Sequence, residues 1–99
     1  MYNILIADDN KQIVSILSEY AKKYGFSVSV AYDGEEALNM FTDKNNNFDI
    51  ILLDVMMPKK DGFEVCKKIR SISNIPIIMV TAKGEDYEKI MGLEIGADD

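Results

Sequence analysis

Asp49-Ile-Ile-Leu-Leu-Asp-Val-Met-Met-Pro-Lys-Lys-Asp-Gly62 sets the architecture of this chain. Four apolar residues, Ile50 to Leu53, run without a polar break and end on the carboxylate of Asp54. Such a run suits a strand buried on both faces, and therefore a parallel sheet covered by helices. Asp54 then falls where the strand emerges, at the carboxyl edge where open α/β sheets bind their ligands. Pro58 and Gly62 break regular structure just beyond it and shape the loop that leaves the strand. A second acidic pair, Asp8-Asp9, follows another apolar run, Ile4 to Ala7. If those two strands are neighbours, three carboxylates meet at one edge.

Working outward, the chain alternates strand and helix. Tyr2 to Ala7 reads as the first strand, and Asp9 or Asn10 caps a helix whose apolar residues are Ile13, Ile16, Leu17, Tyr20, Ala21 and Tyr24. Gly25 ends that helix. Phe26 to Tyr32 forms a second strand, Asp33-Gly34 a turn and cap, and Ala37, Leu38 and Phe41 the inner stripe of a second helix. Asp43 to Asn47 is a solvated polar loop. Asp49 to Leu53 is the third strand, and the third helix after Gly62 turns Phe63, Cys66 and Ile69 inward. Pro76 opens a fourth strand, Ile77 to Val80, ending on Thr81-Ala82, and a fourth helix is expected from Gly84 or Glu85 to Ile95. Gly25, Gly34 and Gly96 need only backbone explanations. Repeated strand–helix alternation predicts right-handed crossovers and a doubly wound parallel sheet. Asp8, Asp9, Asp54 and Thr81 then all stand at carboxyl ends of strands.

Composition removes competing chemistries. The 99 residues, 47% hydrophobic and 28% charged, suit one globular domain. There is no histidine, which excludes Ser-His-Asp and Cys-His nucleophiles from within the chain. The single cysteine, Cys66, supplies neither an intrachain disulfide nor a thiolate zinc site. A net charge of −6 argues against this domain gripping a nucleic-acid backbone. No apolar run approaches the roughly 20 residues of a membrane span, and no signal peptide precedes the first strand, so the expected address is cytoplasmic.

Three carboxylates at one edge raise one another's pKa unless a cation neutralises them. Mg²⁺ suits such a site, with one or two direct carboxylates, waters and a phosphate oxygen. Asp54 is placed as a carboxylate nucleophile of the kind that forms aspartyl phosphates, with Thr81 positioned to donate a hydrogen bond to the phosphoryl group. Asp8-Asp9 alone reads equally well as a helix cap; with Asp54 and Thr81 at the same edge the metal reading is preferred.

Taken together, Asp8-Asp9, Asp54-Val-Met-Met-Pro58 with Gly62, Thr81-Ala82, and Gly92 to Asp99 resemble the receiver domain of bacterial two-component response regulators, over the whole chain. The resemblance implies a flavodoxin-like sheet of order 2-1-3-4, with a fifth strand and helix expected beyond Asp99. It implies that Asp54 accepts phosphate from a sensor histidine kinase. Asp9 and Asp54 would bind Mg²⁺ through side chains, Met56 through its backbone carbonyl, and Asp8 mainly through water. Thr81 is then the switch hydroxyl, and Met56 and Lys83 occupy positions that tune dephosphorylation. Met56-Met57-Pro58 and the run from Gly92 most resemble regulators that carry a winged-helix DNA-binding domain, so transcription regulation is the expected output. Ile77 to Val80 as an outer sheet edge suggests self-association or exchange of elements through it. The family's phosphoryl-contacting lysine, expected beyond Asp99, leaves as an alternative a receiver fold that serves only for interaction without phosphorylation. A phosphatase of the haloacid-dehalogenase type needs a second Asp two residues beyond its nucleophile, where this chain has Met56. In a flavodoxin, Asp8-Asp9 would repel the flavin phosphate.

Overall fold

The computed structural model describes residues 2–57 and 59–80. In chain order they form β1 (Asn3–Ala7), α1 (Lys11–Lys23), β2 (Ser27–Ala31), α2 (Gly34–Thr42), β3 (Ile50–Asp54), α3 (Gly62–Arg70) and β4 (Ile77–Val80). The expected fourth helix, with Thr81 and Lys83, lies outside the described residues, as does Pro58. The strands make one parallel sheet in the order β2-β1-β3-β4, as the sequence implied.

Local signals explain the helix ends. The Asn10 side chain accepts hydrogen bonds from the amides of Gln12 and Ile13, at 2.9 and 3.1 Å, so Asn10 and not Asp9 is the cap of α1. At the other end Phe26 N–H donates to the Ala21 carbonyl and Gly25 N–H to the Lys22 carbonyl. This is the paired closure of a left-handed helix terminus, and Gly25 supplies the φ of 92° it requires. Asp33 and Asp61 cap α2 and α3 by accepting from Glu36 and Glu64 amides. After α3, the Arg70 guanidinium donates to the carbonyls of Ser73 and Ile75 and fixes the entry into β4.

The alternation of the strands divides the core in two. Leu5, Ala7, Ile51, Leu53, Ile77 and Met79 face α2 and α3, where Ala37, Val65, Cys66 and Ile69 complete the packing. Ile4, Ile6, Val28, Val30, Ile50 and Leu52 belong to the other face, covered by Val14, Leu17 and Ala21 of α1. The structure sorts the apolar residues of two helices, and one expectation, that Phe63 faces inward, needs correction. Ile16 and Tyr20 of α1, and Tyr24 at its C-cap, are exposed, because the apolar arc is wider than the strip that meets the sheet. On α3 the inner stripe is Gly62, Val65, Cys66 and Ile69, and Phe63 falls on its flank, 51% exposed.

These packing differences set a clear contrast. Leu53→Ala is expected to destabilise the domain by about 3 kcal/mol through a cavity in the sealed core. Phe63→Ser should change stability by no more than about 0.5 kcal/mol. Urea titrations of both variants check this; equal losses would contradict the burial described here.

Candidate metal and phosphoacceptor site

The register of the sheet builds the site. β1 lies between β2 and β3, with Ala7 opposite Leu53, so Asp8 leaves β1 beside the point where Asp54 ends β3. Asp8 keeps close to the sheet because its amide donates to the Ala31 carbonyl on β2 at 3.1 Å. Its carboxylate accepts from the amide of Asn10, at 2.9 Å, and so is tied to the start of α1. Asp54 is the last residue of β3, opposite Val80, and its carboxylate accepts from the Met56 amide at 3.3 Å. Asp9 completes the group from the exposed side. One ligand oxygen from each of Asp8, Asp9 and Asp54 lies within 4.8 Å of the others.

Asp8 and Asp54 are themselves only 5% and 8% exposed, and no positive side chain is paired with either among the described residues. The consequence is electrostatic. Burial, then the charge of Asp8, pushes the Asp54 carboxyl up to about 7, against the pull of the Met56 amide. Asp8 is raised as well, first by burial and further by Asp9, with the Asn10 amide and a hydrogen bond to Asp54 opposing. At neutral pH the pair therefore holds on to a proton that two separate aspartates would release. A hard divalent cation fits this donor set: only oxygen ligands, two of them inside a low-dielectric pocket, one open to water.

The loop after β3 is built to a shape. Met57 is buried in the core, and Gly62 N–H returns to the Val55 carbonyl at 2.8 Å. A Cβ on Gly62 would overlap the Asp54 carbonyl oxygen and come within 2.8 Å of the Val55 Cα, so the backbone here leaves no room for a side chain. Met56 is exposed beside the acidic group. Thus Asp8, Asp9, Asp54 and Met56 are brought together, while Thr81, Lys83 and Pro58 fall outside the described residues. Asn10 was one of the two expected caps of α1; that its amide also holds Asp8 was not anticipated. Its signal was there in the Asp-x-Asn spacing, which permits an Asx turn.

Fold and site together define a class, and comparison with known proteins agrees. The family model described as "Response regulator receiver domain" matches residues 4–99. A curated relative, the transcriptional regulatory protein CpxR of Escherichia coli, is 46% identical over 99 residues, covering 100% of this chain and 41% of its own. The receiver domain of the Francisella response regulator 1452 superposes with a TM-score of 0.81 at 37% identity, covering 100% of this chain and 81% of that one. The response regulator TrrA of Thermotoga maritima, solved in complex with Mg(2+)-BeF, gives a TM-score of 0.81 at 33% identity and covers 99% of this chain and 83% of its own. This chain belongs to the response regulator receiver domain family. It spans about 41% of the length of the curated relative CpxR. Among the described residues, no helix is long and apolar enough to cross a membrane.

The raised carboxyl predicts how metal-free protein responds to pH. Because the folded state holds the Asp54 proton more tightly than the unfolded chain, its contribution is full below the unfolded pKa of 3.8 and is lost as pH rises through about 7. Asp8 acts in the same direction. The melting temperature without Mg²⁺ should therefore fall between pH 5 and pH 8. Asp54→Asn should raise it at pH 8 by about 5 °C and flatten the profile. A wild-type profile that rises over this range would contradict the electrostatics of the pair.

Proposed function

We propose that this domain is a phosphorylation-gated switch in which Asp54 is the phosphoacceptor. The observation that carries the reading is the convergence of Asp8, Asp9 and Asp54 at the carboxyl edge of the sheet. Asp9 and Asp54 would hold Mg²⁺ through their side chains and Met56 through its main-chain carbonyl, with Asp8 acting through water. When bound, the cation offsets the carboxylate charge and that of the incoming phosphoryl group.

The chain's own residues then do the following. Asp54, once ionised, presents an oxygen to the phosphorus of a phosphohistidine on a sensor histidine kinase. A new O–P bond forms, the P–N bond breaks, and its electron pair stays on the imidazole, which takes a proton from solvent. The product is an acyl phosphate on Asp54. The Asn10 and Met56 amides keep Asp8 and Asp54 in place during the transfer. Thr81, next in sequence after β4, is the hydroxyl assigned to the phosphoryl oxygen, and Lys83 and Met56 are assigned to tuning its loss.

The regulatory output follows from the relatives. CpxR is named a transcriptional regulatory protein, and this chain covers 41% of its length. We assign the present domain the same kind of task, relaying phosphorylation to a DNA-binding effector. Self-association through the outer edge of β4, which has no partner strand among the described residues, is a subsidiary reading that light scattering would test.

Intact mass after incubation with Mg²⁺ and acetyl phosphate tests the central reading. A gain of one phosphoryl group, absent in Asp54→Asn and abolished by a chelator, is expected. Folded protein that gains nothing would favour a receiver fold used for interaction alone.

A further inference from the structure

The loop after β3 rests on the amino end of α2, and the contact has no room to spare. Gly34, the first residue of α2, is buried, and a Cβ placed on it would overlap the Lys60 carbonyl oxygen. The same atom would come within 2.7 Å of the Lys60 carbonyl carbon and of the Lys60 Cβ. Two of these three neighbours are main chain and cannot swing aside as a side-chain tip does. Beside this contact the Lys59 ammonium reaches the Asp33 carboxylate at 3.9 Å, and Lys59 itself takes a φ of 68°, a backbone region that a residue with a Cβ seldom occupies. Asp33 is meanwhile the cap of α2. The loop is thus fastened at Val55 through Gly62, at Met57 through the core, and at Lys59 and Lys60 through α2.

We propose that Gly34 is a positioning residue for the acidic site: its missing side chain is the seat that fixes the Lys60 backbone, and through it the path of the main chain that carries Met56. The inference rests on the metal-binding reading given above for the consequence at the site, and on steric contact alone for the seat. Gly34 touches none of the three carboxylates by this argument. It acts on them through the loop, as the outer partners of a metal site act through the ligands they orient.

Gly34→Ala and Gly25→Ala separate positioning from simple loss of stability. Gly25 has positive φ and nothing within 4 Å of an added Cβ, and it precedes β2, at the opposite end of the sheet from the carboxylates. An alanine there strains the fold without touching the loop. Each variant is titrated with Mg²⁺ by calorimetry, and the amide resonances of Val55, Met56, Lys60 and Gly62 are compared without metal. The expected result is about 10-fold weaker Mg²⁺ binding and displaced loop amides in Gly34→Ala. Gly25→Ala should keep wild-type affinity and wild-type loop amides while melting earlier. Wild-type affinity with unmoved amides in Gly34→Ala would overturn the proposal, as would equal losses of affinity in both variants.

Two outcomes are read separately. If the wild-type domain binds no Mg²⁺, the functional reading fails, and the metal-free loop amides alone decide the role of Gly34. If Gly34→Ala does not fold, the second change Lys60→Gly gives the loop freedom to withdraw. A folded double variant supports the seat; one that still fails to fold places Gly34 in the general core and overturns it.

Discussion

Two buried carboxyl groups facing one another, with a third at their rim, are the constraint on which this structure turns. Placing Asp8 and Asp54 at the edge of a closed core costs free energy, and that cost appears as the raised Asp54 carboxyl. What makes the arrangement tolerable is local: one amide donates to each carboxylate, and a proton is kept where no cation is bound. The same features make the site receptive. A group that must be neutralised, lies at the end of a strand, and opens to water on one side is the oxygen donor set that the proposed divalent ion would take.

The rest of the fold serves to keep those carboxyls together. Three parallel pairings bring the ends of β1 and β3 side by side, and a register shift of one residue would move Leu53 to the α1 face and Asp54 away from Asp8. The sealed layer of Leu5, Ile51, Leu53, Ile77 and Met79 opposes that shift, because these side chains fill the space against α2 and α3 and would leave it unpacked. Stability and site geometry are therefore one problem here. The apolar alternation that holds the sheet also aims the acids.

Much of this was legible in the residues. The unbroken run Ile50 to Leu53 identified a central strand, the paired acids after two such runs identified the edge, and the Asp and Asn caps placed the helix starts within a residue or two. Periodicity was a weaker guide to which apolar residues lie inside. It reports the width of an apolar arc and not its phase, so Phe63 was expected inward where Val65 does the packing, and Val14 was passed over on α1. Contacts between segments far apart in the chain left no local trace. Gly34 looked like a turn residue because the backbone of Lys60 that presses on it is many positions away, and only the folded structure brings the two together.

The connection between α2 and β3 has a different character. Residues 43–47 are exposed, and their hydrogen bonds are short-range ones such as Asn45 N–H to the Asp43 carboxylate, apart from the Asn47 carbonyl that Asn3 grips. They lie at the amino edge of the sheet, the far side from the acids. The two rims of this sheet thus differ in how much change they absorb. The carboxyl rim is locked by charge and close backbone contact, whereas residues 44–46 offer a place to splice in a reporter or tether without disturbing the chemistry.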